Sequence, residues 1–338
     1  MTRVKVQRIL LVNTGSFGEV VRSSPLPCEI KRRLPKAQIV WLTTPEGGEL
    51  LENHRCVDLV AVPPVDGTAA LFAVARSLSR HQFDLAITLD EGLRGAAAAW
   101  LSGAQYRLGR CEAGRITSVL LTHVVHPRQA YLRAAERSLE VLDILQIRPT
   151  SFAPVVEPTP NDLHTAASIL RECGIHSDEQ FAVVSPGCDA PHKRWPADYF
   201  AVVIDRLCAE YGLRTVLLGA GRHTRMLSRI ARRCSSEPAV LAGRTRLLQA
   251  AGIIKAARIF VSVDTGLVPL ATAVGTPTVA LFSRASRMPV PEERVTAVCE
   301  RTSSEGPTRH PGIVGIQPDE VIQAVDDWLY SPVPWAPK

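Results

Sequence analysis

Short apolar runs rich in β-branched residues alternate with longer amphipathic stretches along most of the 338-residue chain. In the first half this pattern predicts strands at residues 8–13, 38–43, 59–62, 85–89 and 106–108. It predicts helices at residues 18–33, 47–52 and 69–80. Strands and helices that alternate at this spacing form a parallel sheet with helices on both faces. The first half is therefore predicted to be an α/β domain.

A proline-rich stretch, residues 149–160, interrupts the alternation and is predicted to be an interdomain linker. Beyond it the pattern predicts strands at residues 181–185, 215–218, 239–241, 259–263 and 278–282. Helices are predicted at residues 196–211, 224–234, 246–256, 266–274 and 318–329, the last with Pro318 in its first turn. The sequence thus predicts two Rossmann-like, doubly wound α/β domains that face a central cleft, at residues 1–150 and 151–317. A C-terminal helix and tail, residues 318–338, are expected to pack back toward the N-terminal domain.

Composition excludes several classes of protein. Hydrophobic residues make up 46% and charged residues 21%, which is ordinary for a globular chain and rules out disorder, a collagen-like fibre and a coiled coil. No apolar run approaches the ~18–20 residues that span a bilayer. The run at residues 9–12 is too short for the core of a signal peptide. We therefore expect a cytoplasmic protein.

The formal charge of +6 is concentrated in the first half of the chain. Residues 1–150 hold 19 Lys and Arg against 14 Asp and Glu, whereas residues 151–338 hold 20 against 19. An anionic partner on the N-terminal domain fits this excess, and so does a solvated surface. Nucleic-acid binding is not predicted, because no recognised motif or stripe of aromatic and basic residues is present.

The cysteines and histidines do not predict a metal site. The eight cysteines are scattered without a CxxC pair, so neither a zinc cage nor a disulfide framework is indicated, and most are interpreted as small core residues. His123 and His126 have a spacing that metal ligands can adopt, but no further ligand set accompanies them. We expect no metal and no cofactor.

A glycine-containing loop, residues 13–19, follows the first predicted strand and opens a helix. Two glycines permit a tight turn, and the helix start supplies free N–H groups. The G-x-x-G spacing does not match the dinucleotide fingerprint, and no Lys-Ser/Thr follows as in a Walker loop. Glu19 is either a functional carboxylate or simply an acid favoured in the first helical turn.

A second loop, residues 185–196, follows the first strand of the second half. Small residues, Gly187 among them, make it flexible, and Lys193 and Arg194 place two cations at its end. Such cations can hold a diphosphate, the lysine as a point charge and the arginine as a fork. The alternative is a solvated basic loop in which Trp195 and Pro196 are only a packing anchor.

A third loop begins where the predicted strand at residues 259–263 ends. Asp264 is followed by Thr265 and Gly266, which open a helix whose N–H groups can cap a phosphate. Asp264 can instead be an ordinary N-cap. Together with the basic loop, this arrangement predicts a nucleotide-diphosphate site.

Read in order, the three loops resemble those of the ADP-heptose:lipopolysaccharide heptosyltransferase family, glycosyltransferase family 9. The resemblance runs from Ile9 to Leu329. Its most specific segments are Lys193-Arg194-Trp195-Pro196, residues 262–266, residues 273–282 and the closing residues 316–321. It implies a GT-B fold and an inverting mechanism that requires no metal. It also implies a nucleotide-sugar donor bound mainly by the second domain.

The chain departs from the family pattern at several positions. Glu19 stands where the family usually has Asp, and Arg22 and Pro269 stand where it usually has His. Ser185 also replaces a His, and residues 188–190 lack the family's hydroxyl-rich pattern. These departures leave the donor sugar and the acceptor open.

The resemblance suggests a role for each candidate residue. Glu19 is the expected catalytic base and Asp264 the expected ligand of the donor sugar. The donor diphosphate and nucleotide are assigned to Gly187, Lys193, Arg194, Thr265 and Gly266. The acceptor is assigned to Ser16, Phe17, Gly18 and Arg22. The expected partners are an ADP-sugar donor and a saccharide or small-molecule acceptor. Arg22 and residues 31–33 are expected to favour the anionic inner-membrane surface.

The predicted function is heptose transfer from ADP-heptose to a hydroxyl of the lipopolysaccharide core or a related glycan. Three alternatives remain open at this point. The enzyme can use another nucleotide sugar or a small-molecule natural-product acceptor. The chain can be a degenerate donor-binding protein without turnover. It can also be a sugar-nucleotide epimerase built from two α/β domains.

Overall fold

The structure, a computed structural model, describes residues 6–65, 67–110, 117–125, 134–283, 294–299 and 313–330. The chain divides into two compact units, residues 1–157 (unit 1) and 158–338 (unit 2). The division falls seven residues beyond the boundary predicted from the sequence. Each unit is described separately.

Unit 1 is built on a six-stranded parallel sheet in the order β3-β2-β1-β4-β5-β6. Its strands are β1 (Arg8–Asn13), β2 (Gln38–Thr43), β3 (Leu59–Ala61), β4 (Leu85–Thr88), β5 (Tyr106–Arg110) and β6 (His123–Val125). Its helices are α1 (Phe17–Ser23), α2 (Pro25–Arg33), α3 (Pro45–Leu51), α4 (Thr68–Ser77), α5 (Leu93–Leu101), α6 (Thr117–Leu120) and α7 (Ala134–Leu139). Single 3₁₀ turns follow α4 and α7.

Unit 2 repeats the same architecture in the order β12-β11-β10-β7-β8-β9. Its strands are β7 (Phe181–Ser185), β8 (Arg214–Gly219), β9 (Ala239–Ala242), β10 (Ile259–Val263), β11 (Thr278–Phe282) and β12 (Val295–Cys299). Its helices are α8 (Pro160–Glu172), α9 (Ala197–Tyr211), α10 (Thr224–Ala231), α11 (Leu247–Ala256), α12 (Leu267–Val274) and α13 (Pro318–Leu329). The predicted α/β class with two doubly wound sheets is confirmed.

Both sheets are wound outward from their first strand. Strands β2 and β3 lie on one side of β1 and β4 to β6 on the other, so the winding reverses between β1 and β4. The equivalent reversal in unit 2 lies between β7 and β10. In open α/β sheets, ligands bind beside the carboxyl ends of the strands at this switch point. The three candidate loops follow β1, β7 and β10 and therefore lie at these two positions.

The central strands are buried on both faces, which explains why their sequences are continuous apolar runs. Ile9, Leu10 and Leu11 are fully buried in β1, and Val183 is fully buried in β7. Such runs are short and sharply bounded, and the observed limits of β1, β2, β7, β10 and β11 are the predicted ones.

The predicted helix at residues 18–33 is two helices. Helix α1 ends at Ser23, and α2 begins at Pro25 after the shared cap residue Ser24. Proline lacks an N–H and clashes with the preceding turn, so it fits the first position of a new helix better than the interior of an old one. The same preference places Pro160 at the start of α8, a helix that the analysis of the sequence did not predict.

One cysteine pair was missed. Cys28 in α2 and Cys56 after α3 form a disulfide with a Cα–Cα distance of 5.2 Å. Their separation of 28 residues carries no recognisable pattern, because the contact between α2 and the segment after α3 is made only in the folded chain. Cys188 is buried as expected, whereas Cys173, Cys208, Cys234 and Cys299 are only partly buried.

Residues 150–157, within the predicted linker, are attached to unit 1 by hydrogen bonds to α2 and by an ion pair. The nearly buried carboxylate of Glu29 accepts hydrogen bonds from Thr150 N (3.0 Å), Thr150 Oγ1 (2.8 Å) and Ser151 N (3.2 Å). Arg55 pairs with Glu157 at 3.1 Å further along. Burial opposes ionisation of Glu29, but these bonds and one from Arg32 hold its pKa below the ordinary value. The segment therefore belongs to unit 1.

Helix α13 packs within unit 2. Its apolar face, which includes Val321, Ile322 and Val325, is part of the same core as residues of α9 and β11. Asp326 accepts a hydrogen bond of 2.5 Å from Tyr211 on α9. Residues 331–338 lie outside the described part of the chain. The approach of this helix and tail to the N-terminal domain stays a prediction.

Candidate functional site

The loop after β1 is held by hydrogen bonds from its backbone to side chains. Three consecutive N–H groups donate to side-chain oxygens: Thr14 N to Asp90 Oδ1 (2.9 Å), Gly15 N to Asn13 Oδ1 (3.2 Å) and Ser16 N to Glu19 Oε2 (2.8 Å). Each of these three donors therefore has a side-chain acceptor.

Glu19 lies in the first turn of α1 and is exposed. Its Oε2 accepts from the backbone and hydroxyl of Ser16, at 2.8 and 3.3 Å, which closes the start of the helix. Within the described ranges no residue donates to Oε1. The residue therefore does cap its helix, and it also presents one free carboxylate oxygen.

Gly15 makes room for this carboxylate. A Cβ atom at this position would collide with Glu19 Oε2 and lie 3.0 Å from its Cδ. Glycine is suited to this position because a side chain approaches it closely. Its backbone conformation does not require glycine, since its φ is not positive.

Asp90, directly after β4, joins the loop from the neighbouring strand. In addition to the Thr14 N–H, its carboxylate accepts the Thr14 hydroxyl at 2.6 Å. Burial raises the pKa of Asp90, and the negative charge of Glu19 adds to that shift, while the bonds from Thr14 and the charge of Arg94 oppose it. Two carboxylates thus lie at the switch point of unit 1.

The residues predicted to bind the acceptor substrate differ in their exposure to solvent. Ser16 is exposed, Phe17 and Arg22 are half-buried, and Gly18 is buried. Arg22 occupies the last turn of α1, where a cation is favoured by the helix dipole.

In unit 2, the loop after β7 runs from residue 186 to 196 and is held by the loop after β8. The ring of His223 lies against Gly187, where any Cβ would collide with the imidazole. Asp189 accepts two bonds from Arg222 Nε (3.0 and 3.2 Å) and one from Arg222 Nη2 (2.8 Å) and lies 3.2 Å from His223 Nε2. The bond from Arg222, followed by that from His223, lowers the pKa of Asp189 to about 2.

The end of this loop is anchored by Trp195. Its ring is buried, packs edge-on against Phe200 at 4.8 Å and donates from Nε1 to Ile316 O at 2.9 Å. Trp195 therefore packs as an anchor, and it holds the backbone next to the two cations. Of these, Arg194 is exposed and Lys193 is half-buried.

Lys193 and Asp264 meet across the switch point of unit 2. Their Nζ and Oδ2 atoms are 2.5 Å apart, and the two side chains are only 26% and 15% exposed. The structure therefore joins two residues that the sequence analysis placed on separate loops. Asp264 is not the N-cap of α12, because the cap residue is Gly266 and Leu267 N donates to Thr265 Oγ1 at 3.3 Å.

The start of α12 offers backbone donors. Among the described residues none accepts a hydrogen bond from Thr265 N or Gly266 N. Free N–H groups at a helix start attract anions, and Lys193 and Arg194 belong to the loop after the adjacent strand β7. This edge of unit 2 is suited to an anion such as a diphosphate.

The basic cluster at residues 31–33 is partly neutralised within unit 1. Lys31 pairs with Asp58 at 2.7 Å and Arg32 with Glu29 at 3.0 Å, while Arg33 is exposed. Only part of the predicted positive surface is therefore left to attract a partner.

Across the described part of the chain, no group of three or more His, Cys, Asp or Glu side chains is arranged to hold a metal ion. His123 lies in β6, where its Nδ1 is 3.0 Å from Thr122 Oγ1, whereas His126 lies outside the described residues. A search of the described helices finds none that is long and apolar enough to cross a membrane.

Sequence reasoning missed Thr14 and Asp90, and also the set of Asp189, Arg222 and His223. A usable signal existed for Asp90, since it is the polar residue that follows the predicted strand at residues 85–89. In a doubly wound sheet that strand lies beside the first one. The set in unit 2 joins residues 33 and 34 positions apart, on loops without a recognisable motif.

The sequence matches the model of one protein family over residues 71–312, described as glycosyltransferase family 9 (heptosyltransferase). The match spans both loops of unit 2, whereas the loop after β1 precedes it. The chain is also 25% identical to lipooligosaccharide heptosyltransferase 2 of Haemophilus ducreyi, over 95% of this chain and 99% of that protein.

Solved structures show the same fold. A glycosyl transferase family 9 protein from Veillonella parvula superposes with a TM-score of 0.86 at 21% identity, covering 97% of this chain and 99% of its own. The Escherichia coli ADP-heptose lps heptosyltransferase II superposes with a TM-score of 0.79 at 22% identity, covering 96% and 99%. Because the family model spans more than half of the sequence and includes the loops that carry Lys193 and Asp264, the chain belongs to glycosyltransferase family 9.

Proposed function

We propose that this glycosyltransferase moves a heptose from ADP-heptose to a hydroxyl of the lipopolysaccharide core or a related glycan. The observation that carries the proposal is the Lys193–Asp264 pair beside the free N–H groups of Thr265 and Gly266. A cation and backbone donors at one switch point suit a diphosphate, and a carboxylate suits sugar hydroxyls. The names of the relatives, which are heptosyltransferases, support heptose as the sugar.

The proposed reaction is a direct displacement with inversion and without a metal. The acceptor oxygen attacks the anomeric carbon while its proton passes to Oε1 of Glu19. The bond from that carbon to the diphosphate oxygen breaks, and ADP leaves as an anion. Glu19 suits the base because its other oxygen is fixed by Ser16. A positioned carboxylate of this kind contributes about 10²–10⁴-fold.

The leaving diphosphate needs compensation as its charge develops. Lys193 and Arg194 supply cations, and Thr265 N and Gly266 N supply backbone donors. In the proposal Lys193 shifts part of its interaction from Asp264 to the diphosphate. Asp264 then accepts from a hydroxyl of the donor sugar, and Gly187 lets the loop backbone approach the nucleotide.

The acceptor is proposed to bind unit 1 through Ser16, Phe17, Gly18 and Arg22. Peripheral attachment to an anionic membrane surface is a further part of the proposal. It is supported by the exposed Arg33 and by the charge excess in the first half of the chain. A basic residue near such a surface contributes about 1 kcal/mol. Sedimentation with anionic and neutral vesicles at low and high salt tests it, and equal binding to both would exclude it.

The function is tested with purified protein, ADP-heptose and a lipopolysaccharide acceptor that lacks its heptose. We expect a product heavier by one heptosyl group, an inverted anomeric configuration by NMR, and unchanged activity after chelation of divalent metals. Transfer from a hexose nucleotide in preference to ADP-heptose would replace heptose as the donor sugar. Conversion of the donor without acceptor would indicate an epimerase.

A further inference from the structure

We infer that Asp90 is a positioning residue for the proposed reaction, which holds the Glu19 loop by accepting both the N–H and the hydroxyl of Thr14. The inference rests on the proposed function, because it assigns importance to the orientation of Glu19. It concerns a residue on a different strand, and 71 positions separate the two carboxylates in the sequence.

The first observation is the direction of the hydrogen bonds. Thr14 donates twice to Asp90, at 2.9 Å from the backbone and 2.6 Å from the hydroxyl. Thr14 is the first residue after β1, so these bonds fix the point at which the loop leaves the sheet. The next two N–H groups then reach Asn13 and Glu19 in sequence.

The second observation is the space that unit 1 reserves for the Asp90 side chain. Gly95 in α5 has no side chain where a Cβ would lie 2.6 Å from Asp90 Cβ and 2.7 Å from Asp90 Oδ2. The same Cβ would collide with Thr88 Oγ1, so a larger residue there would crowd both Thr88 and Asp90. The absence of a side chain at Gly95 therefore leaves room for the Asp90 carboxylate beside α5.

The third observation is electrostatic. The negative charge of Glu19 contributes to raising the pKa of Asp90, so the two carboxylates are close enough to interact. The positive charge of Arg94 has the opposite effect on this pKa. Holding two like charges at one edge has a cost that Thr14 offsets by donating to one of them.

The chain offers a matched control at the opposite end of the same two strands. Asp84, just before β4, accepts Gln7 N at 2.7 Å and Arg8 N at 2.8 Å, just before and at the first residue of β1. Asp84 and Asp90 thus each tie β4 to an end of β1. Only Asp90 ties the end that leads to Glu19.

The experiment compares Asp90→Ala, Asp84→Ala, Thr14→Val and Thr14→Ser. We expect Asp90→Ala and Thr14→Val to lower kcat for heptose transfer by roughly 10–100-fold, the scale of a small displacement of a reacting group. Thr14→Ser keeps the hydroxyl and should stay within about twofold of the parent, since the bond survives. Asp84→Ala should leave kcat unchanged. Binding of ADP, measured by calorimetry, should be the same in all four.

A second readout does not depend on turnover. Hydrogen exchange at the amide of Thr14 should accelerate about tenfold in Asp90→Ala and remain unchanged in Asp84→Ala, because only Asp90→Ala removes the acceptor of that amide. Equal exchange in these two variants, or equal loss of kcat, overturns the inference. If the parent protein transfers no heptose, the proposed function fails, and the exchange measurement alone decides whether Asp90 positions the loop.

Discussion

Units 1 and 2 share a strand order but place opposite chemistries at their switch points. In unit 1 the loops after β1 and β4 contribute the carboxylates Glu19 and Asp90. In unit 2 the loops after β7 and β10 contribute Lys193 and Arg194, with Asp264 as counterion. The same topology thus produces one edge suited to accept a proton and another suited to hold an anion. The shared topology sets the two positions, and a few residues at each edge determine whether that edge is acidic or basic.

The largest expected effect comes from replacing Glu19, which should change catalysis and not donor binding. Glu19→Gln should reduce kcat by about 10²–10⁴-fold, because the amide cannot accept the proton of the acceptor. ADP binding should not change, since the donor is assigned to unit 2. Steady-state kinetics and calorimetry measure the two quantities. Glu46→Gln, an exposed first-turn acid of α3, is the matched control and should behave as the parent. Full activity of Glu19→Gln would remove Glu19 from the mechanism.

The second effect comes from replacing a residue of unit 2 and is expected on donor binding. Lys193→Ala removes a charged partner of the diphosphate and also removes the ion pair between Lys193 and Asp264. We expect ADP to bind about 10–100-fold more weakly, equivalent to the loss of one hydrogen bond to a charged group. Lys255→Ala, at an exposed position near the end of α11, serves as control. Unchanged ADP affinity would place the diphosphate elsewhere.

A third prediction uses the two close-approach glycines. Gly15→Ala should displace Glu19 and lower kcat, whereas Gly187→Ala should displace His223 and weaken ADP binding. Each effect should be about tenfold, since side chains at both sites can give way at a cost near 1–2 kcal/mol. Gly92→Ala, where a Cβ meets nothing within 4 Å, controls for glycine replacement. If both variants changed the same kinetic constant, the division between units would be wrong.

The smallest effect concerns stability in acid. A carboxylate whose pKa is lowered on folding stabilises the fold above its ordinary value, 4.5 for Glu29, and that contribution is lost as pH falls through the folded pKa. Glu29→Gln should reduce the free energy of unfolding by about 1–2 kcal/mol at neutral pH and by less below that value.

Urea denaturation, with hydrogen exchange in β1 and β2 as the probe, measures the contribution of Glu29 to the free energy of unfolding. Glu157→Gln is the matched control, since that carboxylate also ties the linker but is more exposed, and surface pairs contribute about 0–1 kcal/mol. Equal losses in both variants at all pH values would show that burial of Glu29 does not matter.

Strands that are buried on both faces were predictable because most of their residues are apolar and form nearly continuous runs. Edge strands β6 and β12 were not predicted, since their partly exposed residues form no continuous apolar run. Helix α5 was also missed, although it is rich in alanine. The opposite edge strands, β3 and β9, were predicted, so among the described strands the local pattern fails only where the apolar run is interrupted.

Candidate site residues were predictable where the residues of a single loop were enough to identify them. Lys193, Asp264 and Glu19 each follow a recognisable strand, so their loops were identified from sequence alone. The bond from Thr14 to Asp90 spans 76 residues and depends on β1 and β4 being neighbours. The disulfide of Cys28 depends in the same way on the packing of α2 against the segment that contains Cys56. Such contacts follow from tertiary structure and have no local signature.

The attachment of the linker to α2 determines where the chain can be divided for separate expression. A fragment that stops at residue 149 would leave the buried carboxylate of Glu29 without Thr150 and Ser151, which costs about 1–3 kcal/mol. A fragment that ends at Glu157 retains these donors. The other half can begin at residue 158, because Thr159 and Asp162 exchange hydrogen bonds of 3.0 and 3.1 Å that cap α8. Composition identifies the linker, and its hydrogen bonds indicate the position within it at which the chain is best divided.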